Sequence, residues 1–409
     1  MNALFQRLAA ALIAASLWVG GAADAAPSSF VPVGNERSYA AYKPTGGTIH
    51  RLTNGDHVDA TFYATYNTWH SSGRYIFFES DRPAPPEQGG GANDLQVMAV
   101  DRINGELYWL TSIPAHPGRR NNAMEFHANY NATFDQIFLV DRAGFQIHRF
   151  DVPSGSKSVV YEAPEGFVIK QAPRFSAQSN RVAFTLREDT ADGPGLNGYT
   201  YHLMVGDTGR VGTFTGVRSV KAWVGTTGPD VTLNHVEWNP KINNLISFKA
   251  DAIYTIRSDG ADLKRAYPFL GGELGWRDHH SWSPDGRKIN YVENGGLGRW
   301  HRVHERYWFY RSGLEPPAWH QDMSPDGGKI VYDTRSVRRR DRMTPDGFGL
   351  RTGNIAWFDV ASGRSRTIAW VKWGDHPRHP HPQFAPSGDW VAFTDAKRNG
   401  SRIAMVEAK

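Results

Sequence analysis

The sequence predicts an all-β chain folded as a single seven-bladed β-propeller, and three observations carry that reading. A short unit recurs seven times, an apolar strand follows each copy, and the 42 Gly, 24 Pro and 14 Trp suit many short strands joined by tight turns. The clearest copies are His279-His280-Ser281-Trp282-Ser283-Pro284-Asp285-Gly286, His320-Gln321-Asp322-Met323-Ser324-Pro325-Asp326-Gly327 and His381-Pro382-Gln383-Phe384-Ala385-Pro386-Ser387-Gly388. With the turn glycine or its equivalent as marker, the copies fall at Gly73, Phe134, Ser179, Asn243, Gly286, Gly327 and Gly388. Successive markers lie about 40 to 65 residues apart, the size of a four-stranded blade with or without an inserted loop.

The blades follow in chain order. Blade 1 carries Tyr75 to Phe78 after its marker, then Val97 to Val100 and an Asp101-to-Gly105 turn; blade 2 carries Ile137 to Val140, and blade 3 Val182 to Phe184. Blades 4, 5 and 6 carry Leu245 to Phe248, Ile289 to Val292 and Ile330 to Tyr332, blade 6 continuing to an Asp359-to-Gly363 turn; blade 7 carries Val391 to Phe393. Six and eight blades are the competing counts. Three segments fall outside the unit and read as loops: Pro/Gly-rich Pro83 to Asn93, polar Glu188 to Gly198, and Arg335 to Gly349 with Arg335, Arg338, Arg339, Arg340 and Arg342. The arginine cluster reads as a solvated loop, with a cationic rim for a polyanion as the other reading.

Residues 1–25 read as a secretory signal, with Arg7, an apolar stretch from Leu8 to Val19, and small residues ending at Ala23-Asp24-Ala25. The propeller then occupies residues 26–409. No later segment is apolar enough to cross a bilayer, so no membrane span is expected after cleavage. The absence of cysteine excludes disulfides, thiolate chemistry and Cys-ligated zinc. A periplasmic or secreted protein follows, and a monomer is expected because propellers often are and no coiled coil or interface segment argues otherwise. The net charge of +5 and pI near 9.2 favour an anionic partner, and no nucleic-acid motif is present.

The most informative feature is a register of histidines. His279, His320 and His381 each stand four residues before the turn, His235 stands four before Asn239, and aligning Ile137 with Ile289 places His127 likewise. Sixteen histidines in 409 residues put fewer than one at seven chosen positions by chance. Tyr66 takes that register in blade 1. Innermost strands line a propeller's channel and residues two apart share a face, so these imidazoles converge on one mouth. By register, His279, His320 and His381, with His379 on the same face, are candidate ligands for Mn, Fe, Ni or Zn. His235 and His127 remain as groups able to take a proton. His280 points to the other face in a supporting role, His376 can reach the mouth from its loop, and His148, His301 and His304 read as surface residues.

The segments Asn234-His235-Val236-Glu237-Trp238-Asn239-Pro240, His279 to Gly286 and His379-Pro380-His381-Pro382-Gln383-Phe384-Ala385-Pro386 resemble, in this order, the oligogalacturonate lyase family. Ser80-Asp81-Arg82 followed by Gly105 to Thr111 is similar to that family's first blade. The resemblance implies β-elimination on short uronate oligosaccharides, as in pectin degradation, by a seven-bladed propeller holding manganese through three histidines and a glutamine. It matches His235 to the catalytic base and His279, His379 and His381 to the histidine ligands.

The chain departs from that pattern in three ways. His376 stands at the family's glutamine, which makes it a ligand candidate and leaves His320 or Gln383 as other choices for the fourth contact. His202, on the strand Tyr199 to Leu203, stands at the family's catalytic arginine. The family's familiar members act in the cytoplasm, whereas this chain carries an export signal. The leading reading is thus an exported, metal-dependent lyase acting on a uronate-containing oligo- or polysaccharide. The alternatives are a non-enzymatic exported propeller binding protein or glycan partners, and a metal-dependent hydrolase on the same scaffold.

Overall fold

Each predicted turn closes by a mechanism its residues supply. The amide of Gly73, Gly286, Gly327 or Gly388 donates to the carbonyl three residues earlier at 2.8 Å, with φ between +67° and +76°. That left-handed conformation costs glycine little, which is why the turn is written with it. In blades 2 and 4 an asparagine replaces the Ser-Pro-Asp design: the side-chain oxygens of Asn131 and Asn239 accept backbone amides of Thr133 (2.9 Å) and Lys241 (2.9 Å).

The computed structural model describes residues 26–42, 47–91, 93–115, 127–189, 199–209, 212–224, 233–266, 277–293, 296–310, 318–335, 351–374, 377–397 and 399–409. They form seven antiparallel sheets, one per predicted blade, and the fold is a seven-bladed β-propeller. The innermost strands are Asp59–Thr61, Ala128–Asn131, Phe167–Ile169 with Arg174–Phe175, Asn234–Trp238, Arg277–Trp282, Ala318–Met323 and Gln383–Phe384. Residues 1–25, which the sequence reading took as a secretory signal, and four of the five loop arginines lie outside the described residues, as does His376. No described helix is long and apolar enough to cross a membrane.

The closure of the ring was not legible in the repeat. Blade 7 takes only three strands from the C-terminus: Gln383–Phe384, Trp390–Lys397 and Gly400–Glu407. Gly47–Arg51 and Ser38–Tyr42 complete it, with His50 and Arg51 opposite Met405 and Ala404. Val31–Asn35 adds an outer fifth strand to blade 1. Joining the two ends of the chain in one sheet leaves no open inter-blade gap, which protects otherwise unpaired strand edges.

Side chains two apart on the inner strands line successive tiers of the channel. At the register four before the turn stand Tyr66, His127, Ala172, His235, His279, His320 and His381. Two residues further along stand Thr68, Asn129, Arg174, Glu237, Ser281, Asp322 and Gln383, all polar. A polar second tier excludes a purely structural apolar plug, because each such buried group must be hydrogen-bonded or paired.

Candidate active site

The histidines reach the channel because the inner strands bulge where they stand. Strand register shifts between Asn234 and Glu237, between Asp278 and Ser281, and between Ala318 and Gln321, so the bulges span His235, His279 and His320. A bulge re-aims side chains relative to the regular pleat. His235 and His279 have φ of 50° and His381 of 45°, a left-handed backbone that costs a non-glycine residue roughly 1–3 kcal/mol. Three histidines held so at one level are a cost the fold must offset elsewhere, and such strain concentrates at working sites.

The ring is continuous and closed to solvent. Ring centroids lie 5.0 Å apart for His235 and His279, 4.3 Å for His279 and His320, and 4.3 Å for His320 and His381; His379 is 5.4 Å from His320. Each of these five is at most 6% exposed. Tyr63 stands inside the arc, with centroid distances of 4.6 Å to His381, 5.3 Å to His235, and 6.0 Å to both His279 and His320.

Within the arc two triads separate. His320, His379 and His381 offer ring nitrogens within 4.8 Å of one another. His320 is pre-oriented: Asp333, fully buried, accepts the His320 backbone amide at 2.8 Å through Oδ1 and holds Nδ1 at 2.7 Å through Oδ2. This carboxylate-to-histidine contact places the ring's basic lone pair on Nε2, the arrangement that commonly supports a metal ligand. Trp373 backs the cluster, stacked on His320 at 5.8 Å and 4.8 Å from His379. Three buried imidazoles, one of them held in orientation, fit a divalent transition metal.

His235, Asp278 and His279 form the second triad, also within 4.8 Å. Its chemistry differs, because Asp278 already has a cation: Lys249 Nζ bonds one oxygen, while the other receives the His279 backbone amide (2.8 Å) and His235 Nε2 (3.1 Å). Burial pushes Asp278 up, but His279, His235 and Lys249 outweigh it and hold the carboxyl well below the usual range. Burial lowers His235 to about 4, against Asp278 acting to raise it, and holds His279 well below its ordinary value. His235 is therefore a neutral imidazole at neutral pH. With Nε2–H donated to Asp278, its basic lone pair lies on Nδ1, the state of a general base. Burial pushes the Tyr63 phenol well up, with Asp278, Tyr66 and Asp333 adding to it.

The remaining predicted residues are distributed unevenly. His279 offers its ring nitrogen to the triad with His235 and Asp278, while its ring also lies 4.3 Å from that of His320 and so links the two triads. His127 stands buried at its register in blade 2, with Nδ1 3.6 Å from Glu79 Oε2. His202 sits on the third strand of blade 3, Thr200–Thr208, where Nε2 bonds Glu188 at 2.9 Å and Nδ1 meets Ser219 at 3.2 Å. No contact among the described residues ties it to the arc. Gln383 spends its amide on blade 1, accepting from Thr68 N (3.1 Å) and donating to the carbonyls of Phe62 (2.7 Å) and Tyr63 (3.1 Å), so it closes the ring of blades. His280 is fully buried with Nε2 on Ser247 Oγ at 3.0 Å. Contrary to expectation, His148 and His301 are not surface residues: each lies on a third strand and is 8% exposed, whereas His304 is exposed.

Arg174 is a site residue that the sequence reading missed. Its guanidinium bonds Glu237 Oε2 at 2.7 Å and lies over the Tyr66 ring at 5.1 Å. Glu237 is pushed up to about 7 by burial, with Arg174 opposing, and Asp322 is pushed up to about 7 by burial. Blade 3 has no histidine at the inner-strand register, where Ala172 stands, and a weak turn, Ser176-Ala177-Gln178-Ser179. The only available signal was the position two before that turn, where other blades carry polar residues.

No family model and no curated protein sequence matches the chain. Among solved structures, an oligogalacturonate lyase in complex with manganese is similar at TM-score 0.72 and 17% identity, over 92% of this chain and 97% of that one. An oligogalacturonate lyase from Vibrio parahaemolyticus is similar at TM-score 0.72 and 16% identity, over 93% of this chain and 98% of that one. The likeness extends the expected resemblance to the fold across nearly the whole length; at this identity, function must be argued from the site.

Proposed function

We propose that the chain is an exported, divalent-metal-dependent polysaccharide lyase that cleaves a uronate-containing saccharide by β-elimination. The observation that carries the reading is the pairing of a neutral, oriented His235 with a three-histidine cluster one imidazole away. Elimination removes the proton at C5, next to the uronate carboxylate, and expels the oxygen at C4. The first half needs a base poised at neutral pH, which His235 Nδ1 supplies while Asp278 and Lys249 fix its ring. His320, His379 and His381, with His279 beside them, would hold a divalent ion, which would supply positive charge toward the uronate carboxylate. Manganese is the metal of choice, because one solved structure of the same fold is a manganese complex.

The substrate's charge agrees with the chain's net +5, and the signal read in residues 1–25 places the reaction outside the cytoplasm. The test is ultraviolet absorbance of unsaturated product from a panel of uronate polymers and oligomers. On at least one member the signal is expected to rise, to vanish with chelator, to return with manganese, and to fall roughly 10²–10⁴-fold in His235→Ala. A folded, metal-loaded protein that produces no unsaturated product across the panel would sink the reading.

A further inference from the structure

We propose that Tyr63 is the proton donor to the leaving oxygen in the same elimination, an inference that rests on the lyase reading above. Base and metal account for only half of the reaction. The glycosidic oxygen departs as an alkoxide unless a proton meets it, and the lyase reading assigns the imidazoles of the arc to the ion or to Asp278.

Tyr63 is built into that position by contacts distant in sequence. It follows the innermost strand of blade 1, Asp59–Thr61, and its carbonyl accepts both the Gln383 amide from blade 7 (3.1 Å) and the Tyr66 backbone amide (2.7 Å). With its backbone pinned on two sides, the ring extends into the arc, 96% covered, and meets four histidines at once. Its ring lies between His235, at 5.3 Å, and His381, at 4.6 Å, which puts a phenol between the base and the cluster, where the leaving oxygen of a sugar bridging the two would have to be met. A phenol carries its proton at neutral pH and is a donor.

The step balances. The C5–H proton passes to His235 Nδ1, and its electron pair forms the C4=C5 double bond. The C4–O bond breaks with its pair going to oxygen, which takes the Tyr63 Oη proton. The imidazolium then returns a proton to the phenolate, directly or through one water, across a ring separation of 5.3 Å. No co-reactant is consumed.

The test is Tyr63→Phe, which keeps the ring and removes only Oη, compared on two substrates of the uronate that the wild type cleaves. One is the glycosidic oligomer; the other carries a dinitrophenyl ether at O4, a group that departs without a proton. We expect kcat on the oligomer to fall about 10²–10⁴-fold with KM nearly unchanged, the aryl ether to be eliminated within about threefold of wild type, and His235→Ala to slow both. Equal slowing of both substrates by Tyr63→Phe, or slowing of neither, overturns the proposal. So does loss of manganese binding in calorimetry of Tyr63→Phe, which assigns the ring to packing of the metal site. If the wild type eliminates neither substrate, it is the lyase reading that fails, and this inference falls with it.

Discussion

Blades 1 to 3 and blades 4 to 7 are built from the same repeat but packed differently. The first three share one continuous buried apolar cluster that runs from Phe30 through Phe77 and Phe138 to Phe184. Around the remainder of the ring the apolar contacts break into five smaller clusters, between blades 3 and 4, 4 and 5, 5 and 6, 6 and 7, and 7 and 1. What interrupts them is buried and titratable: His235, Lys249, Asp278, His279, His280, His320, Asp333, His379 and His381. Apolar burial stabilises whatever surrounds it, whereas buried imidazoles and carboxylates must be hydrogen-bonded or paired to break even. The comparison teaches that apolar packing runs unbroken through one arc, while the other gathers most of the buried histidines of the candidate site.

The largest effect that tests this division is expected in the apolar arc. Phe138 is fully buried, with Phe175 at 4.5 Å and Phe214 at 5.7 Å. Phe138→Ala should lower unfolding free energy by about 3–5 kcal/mol in denaturant melts, while the folded fraction binds manganese with wild-type affinity. If affinity falls alongside stability, the two arcs are not separable. The reciprocal change is Asp333→Asn, which removes the charge orienting His320 from a site in the other arc. Manganese affinity measured by calorimetry should weaken about 10- to 100-fold, and unchanged affinity would remove His320 from the ligand set.

This division also marks what could be read in advance. The blade count and the register of His235, His279, His320 and His381 were legible because the turn and its histidine lie within one short segment. Residues placed by long-range contacts were not legible. Tyr63 stands three residues off the register and enters the arc because Gln383, on the opposite end of the chain, holds its backbone. Arg174 follows a break in the inner strand of blade 3. His202 shows a related limit: alternation along a strand says which face a residue takes, not whether that strand lines the channel, and the structure places it on the third strand of blade 3. The closing strands Ser38–Tyr42 and Gly47–Arg51 carry no repeat motif, and only the shortage of strands after Gly388 hints at them.

The smallest predicted effect concerns acid. His280 and His235 lie in the chemical arc, and burial lowers them to about 3 and about 4. In the metal-free protein both stay neutral when folded, whereas in the unfolded chain each takes a proton near the ordinary 6.5. Below pH 6.5 the unfolded state therefore binds more protons, and stability is lost as pH falls toward the folded values; above 6.5 these groups contribute no slope. Each such histidine accounts for up to about 1.4 kcal/mol per pH unit in that window. His280→Gln removes one of them while leaving Ser247 a polar partner, so between pH 6 and 4 the slope of unfolding free energy should flatten by about that amount. An unchanged slope would mean that His280 is already protonated in the folded protein, and that the chemical arc bears less of an electrostatic cost than its burial implies.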